Sequence, residues 1–149
     1  MRAISLWQPW ASLWANGRKI YETRHWSTDY RGPLLIHAAQ TIALEIDPAL
    51  REIIEEEFGP HWRQDLPRGA LIARCDLAAC LPTSTVHVDA DELLQGNFQR
   101  GRYAWRADNP TLLPRPIPYR GQQGFFTVPD ELLGRIHPAA ALLRQQGLF

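Results

Sequence analysis

The chain has a single lysine, Lys19; every other member of its 16 basic side chains is arginine. Cysteine is nearly as scarce, with Cys75 and Cys80 the only two. They lie five apart on a stretch that reads as a strand, where alternation sends them to opposite faces, so neither a zinc site nor a structural disulfide is expected. No cofactor or metal is expected either. No run approaches the roughly 20 apolar residues that span a bilayer, and the opening "MRAISLWQPW" lacks the apolar core of a signal peptide. A soluble cytoplasmic protein with no membrane partner is therefore expected. Internal repeats and low-complexity tracts are missing as well. At 149 residues the length suits one domain, 1–149, with 130–149 read as a C-terminal helical extension.

Net charge is zero, so the total gives no electrostatic pull toward nucleic acid. The distribution differs from the total. Residues 1–40 carry +3, 41–60 carry −5, 61–95 carry −2 and 96–149 carry +4. Two basic ends flank an acidic middle, and if they meet in space they form a basic surface that the sum conceals. An arginine-biased composition also produces basic ends by chance, and both readings stay open.

What is present is a set of strands of uneven length with a few helices. "RAISL" reads as a strand, and "QPWASLWANG" as a short helix with Pro9 near its start, Trp10, Leu13 and Trp14 on one face, and Gly17 as its stop. "KIYETRHW" and "YRGPLLIHAA" follow as strands. "DPALREIIEEEFG" is a helix with Asp47 as N-cap, Pro48 in the first turn, Leu50, Ile53, Ile54 and Phe58 facing inward, and Gly59 as its end. Next come "GALIARCDLAACLP" as a long strand with room for a bulge, "DADELLQGNF" as a short helix, "RYAWRA", "GFFTV", and one or two closing helices in "PDELLGRIHPAAALLRQQ". Prolines 110, 114, 116 and 118 make "NPTLLPRPIPYRG" an edge or an extended crossing. Without regular β-α-β alternation, the expectation is α+β: a small, mostly antiparallel barrel with flanking helices.

Chemistry concentrates around the lone lysine. Gly17 lets the chain leave the helix, Lys19 falls in the turn, and period two places Glu22, Arg24 and Trp26 on one strand face, with Thr23 and His25 on the other. A carboxylate beside two cations either orients an arginine toward phosphate, holds a lysine for acid–base work, or forms a structural ion pair. Trp26 and Trp105 are candidates for base stacking as well as for the core, whereas Trp10 and Trp14 read as core. His37, at a strand end, is the histidine placed to reach a ligand; His25, His61, His87 and His137 lack ligand spacing. Arg120, followed by Gly121, offers an anion contact or a turn.

These stretches, "ISLWQPWASLWANGRKIYETRHW", "YRGPLLIHAA", "YAW" and "PIPYRGQQGFFTV", resemble the activating signal cointegrator homology (ASCH) domain of the PUA-like group. The most specific part is G-x-K-x-x-E-x-R, here Gly17, Lys19, Glu22 and Arg24. The resemblance implies a barrel of five or six strands with a cleft beside the first helix that accepts RNA, DNA or nucleosides. It also implies that some relatives are ribonucleases or amidohydrolases of acylated cytidine nucleosides. In the amidohydrolases the residue three after the lysine is a catalytic threonine, and here it is Glu22. The expected function is thus binding of RNA, single-stranded DNA or a nucleotide through Lys19, Arg24, Trp26, His37, Trp105 and Arg120. The alternatives are a hydrolase using Lys19 and Glu22, and an interaction domain whose apolar end, "AAALLRQQGLF", docks on its own barrel or on a partner.

Overall fold

In the computed structural model, which describes residues 1–136, the chain runs β1 (Arg2–Gln8), α1 (Trp10–Ala15), β2 (Tyr21–Arg24), β3 (Gly32–Ile42), α2 (Pro48–Phe58), α3 (Trp62–Asp65), β4 (Ala70–Pro82), a 3-10 turn (Thr83–Thr85), α4 (Ala90–Leu94), β5 (Tyr103–Pro118), β6 (Phe126–Thr127) and α5 (Asp130–Ile136). α5, Asp130–Ile136, is the part of the expected C-terminal helical extension that falls within the described residues. Residues 137–149, with His137 and "AAALLRQQGLF", lie outside the described residues.

The six strands of the described residues form one sheet in the order β2-β5-β4-β3-β1-β6. β1 and β3 are parallel, and the other pairings are antiparallel. The class is α+β, as expected, but the sheet is not closed into a barrel by strand pairing among the described residues. β2 pairs with β5 alone, and β6 reaches only Arg2 and Ala3 of β1, so the strand ladder ends before the remainder of β1 can meet β2. One side-chain bond spans that gap: Arg24 Nη2 donates to the Ser5 carbonyl at 2.7 Å.

Local sequence explains most elements. In α2, Asp47 Oδ1 accepts the Ala49 N–H at 2.8 Å, Pro48 occupies the first turn, Leu50, Ile53 and Ile54 are buried, and Gly59 ends the helix at φ +84°. Its Glu55–Glu57 run is solvent-facing. β5 is a single 16-residue strand in which β2 covers only Tyr103–Arg106, so prolines 110 to 118 lie where one side of the strand has no neighbour among the described residues. A missing N–H is tolerated there. β4 shifts register against β5 at Leu71/Ala73, Arg74/Asp76 and Leu77/Ala79. These irregularities break the strict alternation, so Cys75 and Cys80 contact the same core cluster rather than opposite faces; both are free thiols.

That cluster joins Ile4 and Leu6 of β1, Leu34, Ile36 and Ala38 of β3, Ile72, Ala73, Cys75 and Leu77 of β4, Trp14 of α1 and Trp105 of β5. A second lies under β6 and α5 through Ala3, Leu35, Phe126 and Leu133, and a third joins Leu13 to α2 and Trp62. The sheet therefore packs side chains from β1 and β5 into one interior while leaving the β1–β2 edges unpaired.

Candidate nucleic-acid interface

The gap between β1 and β2 is a groove. One hollow of about 490 Å³ lies between Ser5–Trp7 of β1 and Glu22–His25, closed at its far end by Gln95–Asn97 and Arg102. A second, of about 460 Å³, shares Ser5, Trp7, Arg24 and His25 and adds Trp26 and Gln122–Gly124. A third, of about 540 Å³, continues past Ser5 to His37, Gln40, Tyr119, Arg120 and Gly121.

Glu22 is the hub of the first hollow. Its Oε1 lies 3.1 Å from Lys19 Nζ and its Oε2 3.3 Å from Arg24 Nε, the latter without hydrogen-bond geometry. Lys19 is not free to swing into the groove: its side chain has 0% exposure, its Nζ also bonds the Tyr21 carbonyl, and its backbone N–H bonds Leu13 O at 3.0 Å. Beneath it sits Glu92 of α4, buried, accepting the Ile20 and Tyr21 N–H groups at 2.6 and 3.3 Å. Burial pushes the Glu92 carboxyl above its ordinary pKa, opposed by those hydrogen bonds and by the Lys19 charge. Lys19 thus balances two carboxylates from below, and Arg24 carries the positive charge to the surface.

His37 is buried between two partners: Nε2 lies 2.7 Å from the Tyr119 carbonyl and Nδ1 2.8 Å from Ser5 Oγ. A carbonyl only accepts, so Nε2 carries the proton and Nδ1 accepts from the Ser5 hydroxyl. Burial lowers the His37 pKa below its usual value of 6.5, against the opposing effect of the Tyr119 bond. His37 meets the groove only through Ser5 and the edge of the third hollow.

The aromatic assignments divide. Trp105 is fully buried, its Nε1 donating to Trp26 O at 3.3 Å, so of its two readings, stacking surface and core, it takes the core. Trp26 lies on the groove wall but packs edge-on against Trp105 with ring centroids 4.6 Å apart, and against Phe125. The free indole is Trp7, 55% exposed and lining two of the three hollows. Sequence alone had no place for it. Its signal was the alternation of β1, in which buried Ile4 and Leu6 point opposite to Ser5 and Trp7. Arg120 is exposed on the third hollow. Arg102, also missed, is held by the Thr23 and Asn97 carbonyls at 3.1 and 3.2 Å on the wall of the first.

Among the described residues, no group of three or more His, Cys, Asp or Glu side chains is placed to hold a metal ion, and no helix is long and apolar enough to cross a membrane. The arrangement offers arginine forks, amides, a hydroxyl and one exposed indole, that of Trp7, along a trough. These are the groups that meet phosphate, base edge and base face.

An α+β domain whose mixed sheet leaves a cation-lined seam beside its first helix defines the class. The chain belongs to the ASCH domain family, whose sequence profile matches residues 4–113. No curated protein matches it by sequence. Among solved structures it is similar to ASCH from Zymomonas mobilis, at 14% identity and a TM-score of 0.56 over 92% of this chain and 93% of that one. A tyrosine-to-phenylalanine mutant of that protein gives 13% identity and a TM-score of 0.54 over 92% of this chain and 96% of the mutant's. At these identities the likeness shows the fold.

Proposed function

We propose that the β1–β2 groove binds single-stranded RNA, or the nucleotide units of such a strand. ASCH domains are linked in general to RNA binding, and the groove's composition supports the same reading. The single observation that carries it is the contiguity of Arg102, Arg24, Trp7 and Arg120 along one trough whose only carboxylate among the described residues, Glu22, is already balanced by Lys19. Arg24 and Arg120 contact phosphates, Trp7 stacks a base, and Lys19 acts as a positioning charge that holds Glu22 and, through it, the Arg24 guanidinium. We take residues 1–149 as one ASCH domain.

Fluorescence anisotropy with a labelled single-stranded RNA tests the reading. Affinity falls steeply with salt, because each phosphate neutralised by an arginine releases a condensed counterion. Arg120→Ala lowers affinity and reduces the salt slope by about one contact's worth, roughly 0.7 for a single strand. No measurable binding at low salt contradicts it.

A further inference from the structure

We propose that Ser5, locked by His37, is an obligate hydrogen-bond acceptor in the groove wall and selects ligands that present an N–H or O–H to it. The matching groups on a nucleotide are an exocyclic amine such as that of cytosine, the ring N3–H of uracil, and the ribose 2′-hydroxyl. The inference rests on the groove being the nucleotide site.

The lock runs in one direction. The Tyr119 carbonyl, 2.7 Å from His37 Nε2, accepts the ring's proton, which leaves Nδ1 with a lone pair. Ser5 Oγ lies 2.8 Å from that lone pair and supplies its only proton to it. Toward the groove the hydroxyl then has nothing left to donate. A serine hydroxyl ordinarily rotates to suit its partner, but here turning away would leave the lone pair of the buried His37 Nδ1 without a donor. A Cβ at Gly121 would lie 2.7 Å from His37 Cε1 and 3.1 Å from Ser5 Oγ, so the Gly121 backbone sits directly against both. On another side, Phe126 meets the His37 ring edge-on, with centroids 5.7 Å apart. Bonds at both nitrogens, to Tyr119 O and to Ser5 Oγ, fix the orientation of the ring packed between these neighbours.

Position makes this polarity matter. Ser5 is the one residue that lines all three hollows, so a strand lying along the groove passes it. A ligand atom with a proton to give completes the chain of bonds. A carbonyl such as uracil O4 sets lone pair against lone pair and leaves both groups desolvated and unpaired, which is where polar sites gain their discrimination.

The test measures affinities of short oligomers of rC, rU, dC and dU for the unmodified chain and for Ser5→Ala at low salt. The unmodified chain is expected to prefer one donor-bearing partner by roughly tenfold: rC over rU and dC over dU if the amine is read, rU over rC and dU over dC if the uracil N3–H is, rC over dC and rU over dU if the 2′-hydroxyl is. Ser5→Ala is expected to bring that ratio near one while leaving the weaker ligand within about twofold, a change that a merely structural serine would not produce. Equal binding of all four oligomers by the unmodified chain overturns the proposal without recourse to any variant. So does a preference that survives in Ser5→Ala. Absence of binding to any of the four removes the groove reading itself, and this inference with it.

Discussion

Lysine at position 19 is explained by the space it fills. Its ammonium sits at 0% side-chain exposure with Glu22 at 3.1 Å, the Tyr21 carbonyl beside it and Glu92 close enough to feel its charge. A compact ammonium fits between the Glu22 carboxylate and the Tyr21 carbonyl, whereas a planar guanidinium needs more room and a fork-shaped partner. Lys19→Met breaks the buried pair with Glu22, leaving that carboxylate with Arg24 alone, and removes the charge that Glu92 feels; it is expected to cost about 3–5 kcal/mol in urea unfolding. Lys19→Arg is expected to destabilise by about 1–3 kcal/mol through overpacking, despite keeping the charge. His37 makes a prediction with a sign. Its folded pKa lies below the unfolded 6.5, so the unfolded chain takes up the proton first as pH falls. Its stabilising contribution is fully present above 6.5 and is lost as pH drops toward the folded value. Ring resonances followed by NMR should titrate below 6.5, and unfolding midpoints should fall as pH is lowered through that range. The two tryptophans separate function from packing: Trp105→Ala is expected to cost about 3–5 kcal/mol of stability. Trp7→Ala should move stability by no more than about 0.5 kcal/mol yet weaken oligonucleotide binding by about 1–3 kcal/mol.

At the scale of elements, the site depends on how β2 begins. The strand has only four residues and one neighbour among the described residues, and its first N–H groups are taken by Glu92 from α4, more than seventy residues away in sequence. Glu92→Ala is expected to leave those donors unpaired at about 1–3 kcal/mol each and to release Lys19 and Glu22 together, seen as lost stability and weakened RNA affinity in the same variant. This also marks how far the sequence could be read. The helices announced themselves through Asp47, Pro48 and Gly59, because caps and stops are local chemistry. The proline-bearing half of β5 was legible as unpaired on one side for the same reason. The pattern Gly17, Lys19, Glu22 and Arg24 pointed to the stretch that lines the first hollow, with Glu22 and Arg24 side by side there. It did not locate the depth of Lys19, which is set by a glutamate on another element. Nor did it tell Trp7 from Trp105: both alternate properly on their strands, and only the sheet order decides that the Trp105 face is interior and the Trp7 face is open. The register shifts of β4 moved Cys75 and Cys80 onto one cluster for a similar reason, since irregularities that depend on the partner strand are invisible in either strand alone.

At the scale of the whole molecule, zero net charge conceals a separation. Arg24 comes from the basic first part of the chain, Arg102 and Arg120 from the basic last part, and the fold brings all three to one groove. The acidic middle is turned to α2, where Glu55–Glu57 face solvent and Glu57 pairs with Arg18 at 3.3 Å. Such a layout steers a polyanion toward one face and repels it from another, and the steering weakens as ionic strength rises. The open seam between β1 and β2 is the structural basis of that face: a ladder that closed there would have filled the site with its own backbone bonds. The most direct measurement is amide chemical-shift mapping of the protein during titration with a short single-stranded RNA at low salt. The account predicts shifts confined to Ser5–Trp7, Glu22–Trp26, Gln95–Asn97 and Arg120–Gly124. Shifts centred on α2, or none at saturating RNA, would contradict it.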